Sequence, residues 1–303
     1  MAKIAFVFPG QGAQKPGMGK AAYDALPDVR AHLDSLEALR PGTLEMCFSG
    51  EPDALSETKH TQPCLFAVET ALAAALEARG VRAQAYAGFS LGELTALAAS
   101  GAVTHAEGFR LVSLRGALMQ REAETVAGAM AAILKLSNAA VEALCRENGE
   151  IFAVNYNCPG QIVVSGKQSA MPNFLAAVKA AGGRAVPLKV RGAFHTPYME
   201  QAARAFKAAL QDTPFGAPKA AIYANLTGQP YAGDFIETLA NQIMRPVRWQ
   251  SAVEHMLFNG FDTFVEIGPG TTLSGLIAKI QPGARTIAVE DAQSIERAVN
   301  ELC

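Results

Sequence analysis

Gly88-Phe89-Ser90-Leu91-Gly92 is followed at once by Glu93. The residues before it, 85–87, are short and apolar, as a buried strand end requires. Residues 91–100 after it read as a helix closed by Gly101. A Gly-x-Ser-x-Gly run in that setting predicts a strand, a tight reversal and a helix, with the serine hydroxyl exposed at the apex. The two glycines remove side chains that would collide where the backbone reverses. The Leu91 N–H falls at the helix N-terminus, where it can face a developing oxyanion. A plain Ser/Gly turn is the competing reading. The strand–turn–helix context favours a nucleophile.

The same alternation runs through the chain. Residues 4–8 form a continuous apolar strand, ended by Pro9-Gly10-Gln11-Gly12. Residues 61–78 read as a long helix with Thr61 as cap and Pro63 in its first turn. Another helix is expected over 105–124, and apolar strands return at 221–224, 263–267 and 285–289. The last helix is expected near 294–302. In between, the order changes to strand 130–136, helix 139–146, strand 151–155, strand 161–165, helix 169–181 and strand 184–190. That is the β-α-β-β-α-β order of a ferredoxin-like unit. The expected fold class is therefore α/β. Residues 1–125 and 192–303 would form a large α/β-hydrolase-like subdomain with a parallel sheet, and residues 126–191 an inserted ferredoxin-like small subdomain. Ligands of such a fold belong at the strand ends and in the cleft between subdomains.

Composition excludes several classes. With 26 basic and 28 acidic side chains the net charge is −2, which argues against nucleic acid or an anionic membrane as main partner. Cys47, Cys64, Cys145, Cys158 and Cys303 are scattered and form no C-x-x-C pair, so neither a disulfide framework nor a metal site is expected. A reducing cytoplasm fits that usage. The apolar run over 4–8 is too short for a signal peptide or a membrane span. Pro9-Gly10-Gln11-Gly12-Ala13-Gln14 is a broken dinucleotide fingerprint, because Lys15 stands where the third glycine belongs. Its better use is close backbone approach to an oxyanion beside Ser90.

Two further residues could carry chemistry. His195 lies in Gly192-Ala193-Phe194-His195-Thr196-Pro197, where the chain returns from the small subdomain to the large one. A crossover loop is a natural cleft wall, and a serine needs a neighbouring imidazole to take its proton. A structural histidine is the alternative. Arg115 sits in the middle of an apolar helix face made by Leu111, Val112, Leu118 and Met119, whereas Arg110 and Arg121 point the other way. A guanidinium buried there needs an anionic partner. An internal Asp or Glu and a substrate carboxylate both satisfy that need, and the sequence leaves both open.

Taken together, these motifs resemble the malonyl-CoA:acyl-carrier-protein transacylases of bacterial fatty-acid synthesis and the acyltransferase domains of polyketide synthases. The resemblance covers the full length. It runs through Phe8-Pro9-Gly10-Gln11-Gly12, Thr61-Gln62-Pro63, Gly88-Phe89-Ser90-Leu91-Gly92-Glu93, Arg115-Gly116, Asn157-Cys158-Pro159-Gly160-Gln161, Gly192-Ala193-Phe194-His195, Pro246-Val247-Arg248-Trp249 and Glu266-Ile267-Gly268-Pro269-Gly270.

The resemblance implies a ping-pong transfer of malonyl from malonyl-CoA to the phosphopantetheine thiol of acyl carrier protein. Ser90 would be the acylated nucleophile and His195 its base. The N–H groups of Gln11 and Leu91 would form the oxyanion hole, and Arg115 would bind the free carboxylate. The backbone carbonyl of Gln242 would steady the histidine, and Phe194 would narrow the acyl pocket. Phe89 departs from the histidine usual at its position, which bears on acyl selectivity. No metal or bound cofactor is implied, and the expected state is a cytoplasmic monomer. The alternatives are a serine hydrolase or thioesterase of the same fold, and a trans-acting polyketide acyltransferase. An acidic carrier would need local basic residues near the cleft, for which Lys189, Arg191, Arg245, Arg248 and Lys279 are candidates.

Overall fold

The computed structural model of the chain describes residues 2–303. Its strands are β1 (Ile4–Phe8), β2 (Ala85–Gly88), β3 (Gly128–Leu134), β4 (Ile151–Cys158), β5 (Gln161–Lys167), β6 (Arg184–Arg191), β7 (Ala221–Tyr223), β8 (Thr263–Ile267) and β9 (Arg285–Val289). Five make a parallel sheet in the order β7-β2-β1-β8-β9. All five residues of β1 are buried, because helices cover both faces of its sheet. The chain steps from β1 to β2 on one side, then returns to β8 on the other. The loop after β1 therefore lies at a switch point of the sheet, where crevices form. Phe8 pairs with Gly88, which brings that loop alongside the Ser90 turn.

The other four strands form an antiparallel sheet in the order β4-β5-β3-β6. With the helices Asn138–Asn148 and Met171–Ala180 this is the ferredoxin-like arrangement expected from the sequence. Side-chain alternation divides the sheet. Ala131, Ile133, Ile162 and Val164 pack under its two helices. Met130, Val154 and Val163 join the main core, with Leu188 and Val190 packed against it. That second face roofs the cleft over the parallel sheet.

Several element ends differ from expectation. The long helix is Thr58–Ala78 and its cap is Glu57, so Thr61 is not the cap and Pro63 lies inside the helix. Thr61 instead donates its hydroxyl to the Leu55 carbonyl at 2.6 Å. Pro63 cannot donate to the Lys59 carbonyl four residues back. Arg40 Nη2 takes that carbonyl at 3.3 Å, which lets the helix begin a turn early. Strand β3 ends at Leu134 rather than 136, because Lys135 adopts φ 67° and Ser137 caps the next helix. Strand β4 runs three residues past 155, carried by irregular pairing near Asn155 and Cys158. The last helix starts at Ala292, with Asp291 and Ser294 forming a reciprocal cap. Among the described residues no helix is long and apolar enough to cross a membrane.

Candidate active site

The turn after β2 is held by close backbone contact. A Cβ on Gly88 would lie 1.9 Å from the Gly92 carbonyl carbon, and one on Gly92 would lie 2.3 Å from the Phe8 oxygen. Only glycine fits either position. Ser90 itself has φ 55°, a conformation rare outside glycine. Asn225 stabilises this turn. Its Oδ1 accepts from Ser90 N at 2.7 Å, and its Nδ2 donates to Gly88 O at 2.6 Å.

His195 also sits at positive φ, 61°, just beyond β6. Its Nε2 is 2.9 Å from Ser90 Oγ, and its Nδ1 is 2.8 Å from the Gln242 carbonyl. A carbonyl can only accept, so Nδ1 carries the proton and Nε2 presents a lone pair to the serine. Burial and the nearby Arg115 charge lower the imidazole to about 4, against the opposing pull of the Gln242 carbonyl. The ring is therefore neutral at pH 7 and able to accept a proton.

Arg115 is fully buried, on the helix His105–Thr125. Nη1 donates to Gln62 Oε1 at 2.8 Å. Nη2 donates to Gln242 Oε1 at 2.7 Å and to Ser90 Oγ at 3.2 Å. Its Nε has no partner. No carboxylate forms an ion pair with it among the described residues. An internal carboxylate therefore reaches it only indirectly, Glu93 standing beyond the Gln242 amide. Burial lowers the guanidinium only to about 10, partly offset by Glu93, so it stays charged.

A small cleft opens beside these groups. Gln11, Leu91, Ser90 and His195 line it together with Gln62 and Asn155. Its apolar wall is Phe89, Met119, Met130, Leu188, Val190 and Phe194. The backbone N–H groups of Gln11 and Leu91 donate to no protein acceptor among the described residues. Phe89 has two neighbours: its ring lines the cleft and lies 5.8 Å from the Trp249 ring. Next to the cleft, an open hollow shares Gln11, Phe89, Asn155 and Leu188 and adds Asn157. Asn155 and Asn157 both keep their side-chain oxygens buried without partners.

The five basic residues are all exposed but do not form one patch. Lys189 and Arg191 line an opening shared with Asp53 and Glu57. Arg245 borders a different hollow behind His195. Arg248 lies over the Tyr156 ring, and Lys279 donates to Gln161 Oε1 at 3.1 Å.

The sequence reading brought Ser90, His195, Arg115, Gln11, Leu91, Phe89, Phe194 and Gln242 into view, and the fold gathers all eight. It missed the roles of Gln62, Glu93 and Asn225. Glu93 had a signal: it is the one charged residue in the mostly apolar helix Gly92–Ala99, every residue of which is buried.

Residues 5–297 match the acyl transferase domain family. The malonyl CoA-acyl carrier protein transacylase of Bacillus subtilis strain 168 is 35% identical over 310 residues, covering 100% of this chain and 98% of that protein. The crystal structure of malonyl-CoA:acyl carrier protein transacylase from Xanthomonas oryzae pv. oryzae superposes with a TM-score of 0.96 at 33% identity, covering 100% of this chain and 99% of that one. A type II polyketide synthase acyl-carrier protein in complex with its malonyl-transacylase gives a TM-score of 0.95 at 33% identity, with coverage of 99% and 100%.

Proposed function

The chain belongs to the acyl transferase family, and from that premise we propose that it moves malonyl from malonyl-CoA to the thiol of an acyl carrier protein. The observation that carries this reading is the Ser90–His195 contact beside a buried Arg115 that touches no carboxylate of its own.

Ser90 Oγ attacks the thioester carbonyl while its proton passes to His195 Nε2. Negative charge on the carbonyl oxygen is met by the N–H groups of Gln11 and Leu91. The carbon–sulfur bond breaks, the imidazolium returns its proton to sulfur, and CoA leaves as a thiol. Malonyl remains on Ser90 as an ester. The carrier's phosphopantetheine thiol then gives its proton to His195 and attacks that ester, and Ser90 regains a proton as it departs. Arg115 grips the malonyl carboxylate throughout, which positions the reacting carbonyl. An acyl group without that charge gains nothing from a buried cation, which favours malonyl transfer over general acyl hydrolysis.

The thioester arm runs through the adjoining hollow, lined by Gln11, Phe89, Asn155 and Asn157. Phe194 closes the acyl end. The five free cysteines, four of them buried, suit a reducing cytoplasm, and we take the working state to be a monomer of two subdomains, 1–125 with 192–303 and 126–191.

The test is intact-protein mass spectrometry after mixing with malonyl-CoA and then with holo carrier protein. The wild type should gain a malonyl adduct and lose it to the carrier, whereas Ser90→Ala should form none. An adduct retained on the alanine variant would sink the assignment.

A further inference from the structure

Glu93 has no part in the reaction just described. It is fully buried on the helix Gly92–Ala99, yet every oxygen is partnered. Its Oε2 accepts from Gln242 Nε2 at 2.8 Å. Its Oε1 accepts from the Tyr231 hydroxyl and from Asn225 N, the latter at 3.2 Å. The Gln242 amide turns its other end to Arg115, accepting from Nη2 at 2.7 Å. One neutral amide thus separates a buried carboxylate from a buried guanidinium, with its NH₂ toward the anion and its oxygen toward the cation. Other titratable groups around Glu93 are few. Tyr231 comes from the segment after β7, and neutral His195 from the loop after β6. Glu69, on the helix Thr58–Ala78, is turned to Thr95 Oγ1.

We propose that Glu93 is the resident counter-charge of Arg115, relayed through Gln242, and that it takes up one proton from solvent when a substrate carboxylate seats on Arg115. The proposal rests on the reading of Arg115 given above. In the free protein one buried anion balances one buried cation. Adding the malonyl carboxylate leaves two anions against one cation around groups that have no exposed surface. An uncompensated buried charge is costly, and protonating one carboxylate is the cheapest relief. The substrate carboxylate sits directly on the guanidinium, so Glu93, held one amide away, is the group that yields. Burial already pushes its carboxyl up to about 7, despite the bonds from Tyr231, Gln242 and Asn225 and the field of Arg115. The hydrogen bonds survive the change. Oε2 still accepts from Gln242, and the Tyr231 hydroxyl can rotate to accept from a protonated Oε1. The pocket is thereby specific for a carboxylate without being a bare cation when empty.

Calorimetric titration of Ser90→Ala with malonyl-CoA at pH 7.5, in phosphate and in Tris, reads the proton directly from the difference in buffer heats. Uptake of about 0.5 to 0.75 proton is expected with malonyl-CoA, since a carboxyl at about 7 is already partly protonated at that pH, and none with acetyl-CoA. No uptake, or equal uptake with both, overturns the proposal. In kinetics, the wild-type KM for malonyl-CoA should rise by about three- to tenfold per pH unit above pH 7. Glu93→Gln should flatten that dependence. If the variant keeps the pH slope and loses only stability, Glu93 is structural and the proposal fails. If Glu93→Gln does not fold, the same calorimetry on a Ser90→Ala/His195→Gln double variant decides the matter: uptake that persists cannot belong to the imidazole that Arg115 also influences, and uptake that vanishes assigns the proton to His195 and overturns the proposal. Arg115→Ala separates the two readings. If it keeps malonyl preference, the underlying reading has failed. If it loses that preference while Ser90→Ala takes up no proton, only the role of Glu93 has failed.

Discussion

Arg115→Ala perturbs the site most directly. In the free protein its guanidinium ties Gln62 Oε1, Gln242 Oε1 and Ser90 Oγ together, with Nε left over. A carboxylate bound to it would be desolvated along with it, since Arg115 has no exposed surface. Truncating one side of such a pair costs about 3–5 kcal/mol. At roughly 1.4 kcal/mol per decade, kcat/KM for malonyl-CoA should fall by about 10²- to 10⁴-fold. Acetyl-CoA carries a methyl group where malonyl carries the carboxylate, so it loses no charge partner. The variant also strands the Gln62 and Gln242 oxygens, at about 1–3 kcal/mol each. That damage acts on both substrates, so the ratio of the two kcat/KM values isolates the carboxylate contribution. The assay is transfer to a small pantetheine thiol from each donor. Arg115→Lys should fall between, because an ammonium is a point charge and cannot fork across two oxygens. If both donors lose the same factor, Arg115 only braces Gln62 against Gln242 and the reasoning fails.

Two other outcomes follow from the geometry. Burial and Arg115 hold the His195 imidazole neutral down to about 4, so the acid limb of kcat/KM should fall near that value, well below the unperturbed 6.5. The same shift makes folding stability decline as pH drops from 6.5 through the folded value, because the unfolded histidine binds its proton first; an activity limb at or above 6.5 contradicts this. Phe89→His should lower the melting temperature, through lost packing on Trp249, and also shorten the malonyl adduct's lifetime, because the ring lines the cleft. A lowered melting temperature with an unchanged lifetime would confine Phe89 to packing.

The turn at Ser90 was legible in the sequence because its constraint is local: two glycines, four residues apart, fix one reversal. The β-α-β-β-α-β order was legible for a similar reason, since strand and helix periods differ over short windows. Arg115 stood out as a charge on an apolar stripe. What joins these parts was not legible from pattern. Asn225 reaches Ser90 from 135 residues away, and Glu93 meets Gln242 across 149. Neither link leaves a mark in local periodicity. Gln242 came into view only through the family resemblance, and only as a carbonyl; the work of its side chain needed coordinates. Element ends failed where a long-range partner decided them. Thr61 looked like a cap, but Arg40 takes the Lys59 carbonyl that Pro63 cannot serve, and the helix extends past it.

Gln242 gives the site a coupling that a list of its residues would not reveal. Its backbone oxygen holds His195, while its side chain bonds Ser90 O, Glu93 and Arg115. On the proposed chemistry, recognition and proton transfer therefore share one residue. They also share a field. Arg115 is the second cause, after burial, of the low basicity of His195. A carboxylate seated on Arg115 cancels part of that positive field and makes the imidazole a stronger base. A substrate lacking the carboxylate leaves the field in place and meets a weaker one. On the proposed chemistry, malonyl thus improves the general base that acts on its own thioester, bringing it closer to the operating pH where such catalysis is most effective. Discrimination between malonyl and acetyl groups would then appear in kcat as well as in KM, a split that grip on the carboxylate alone does not produce.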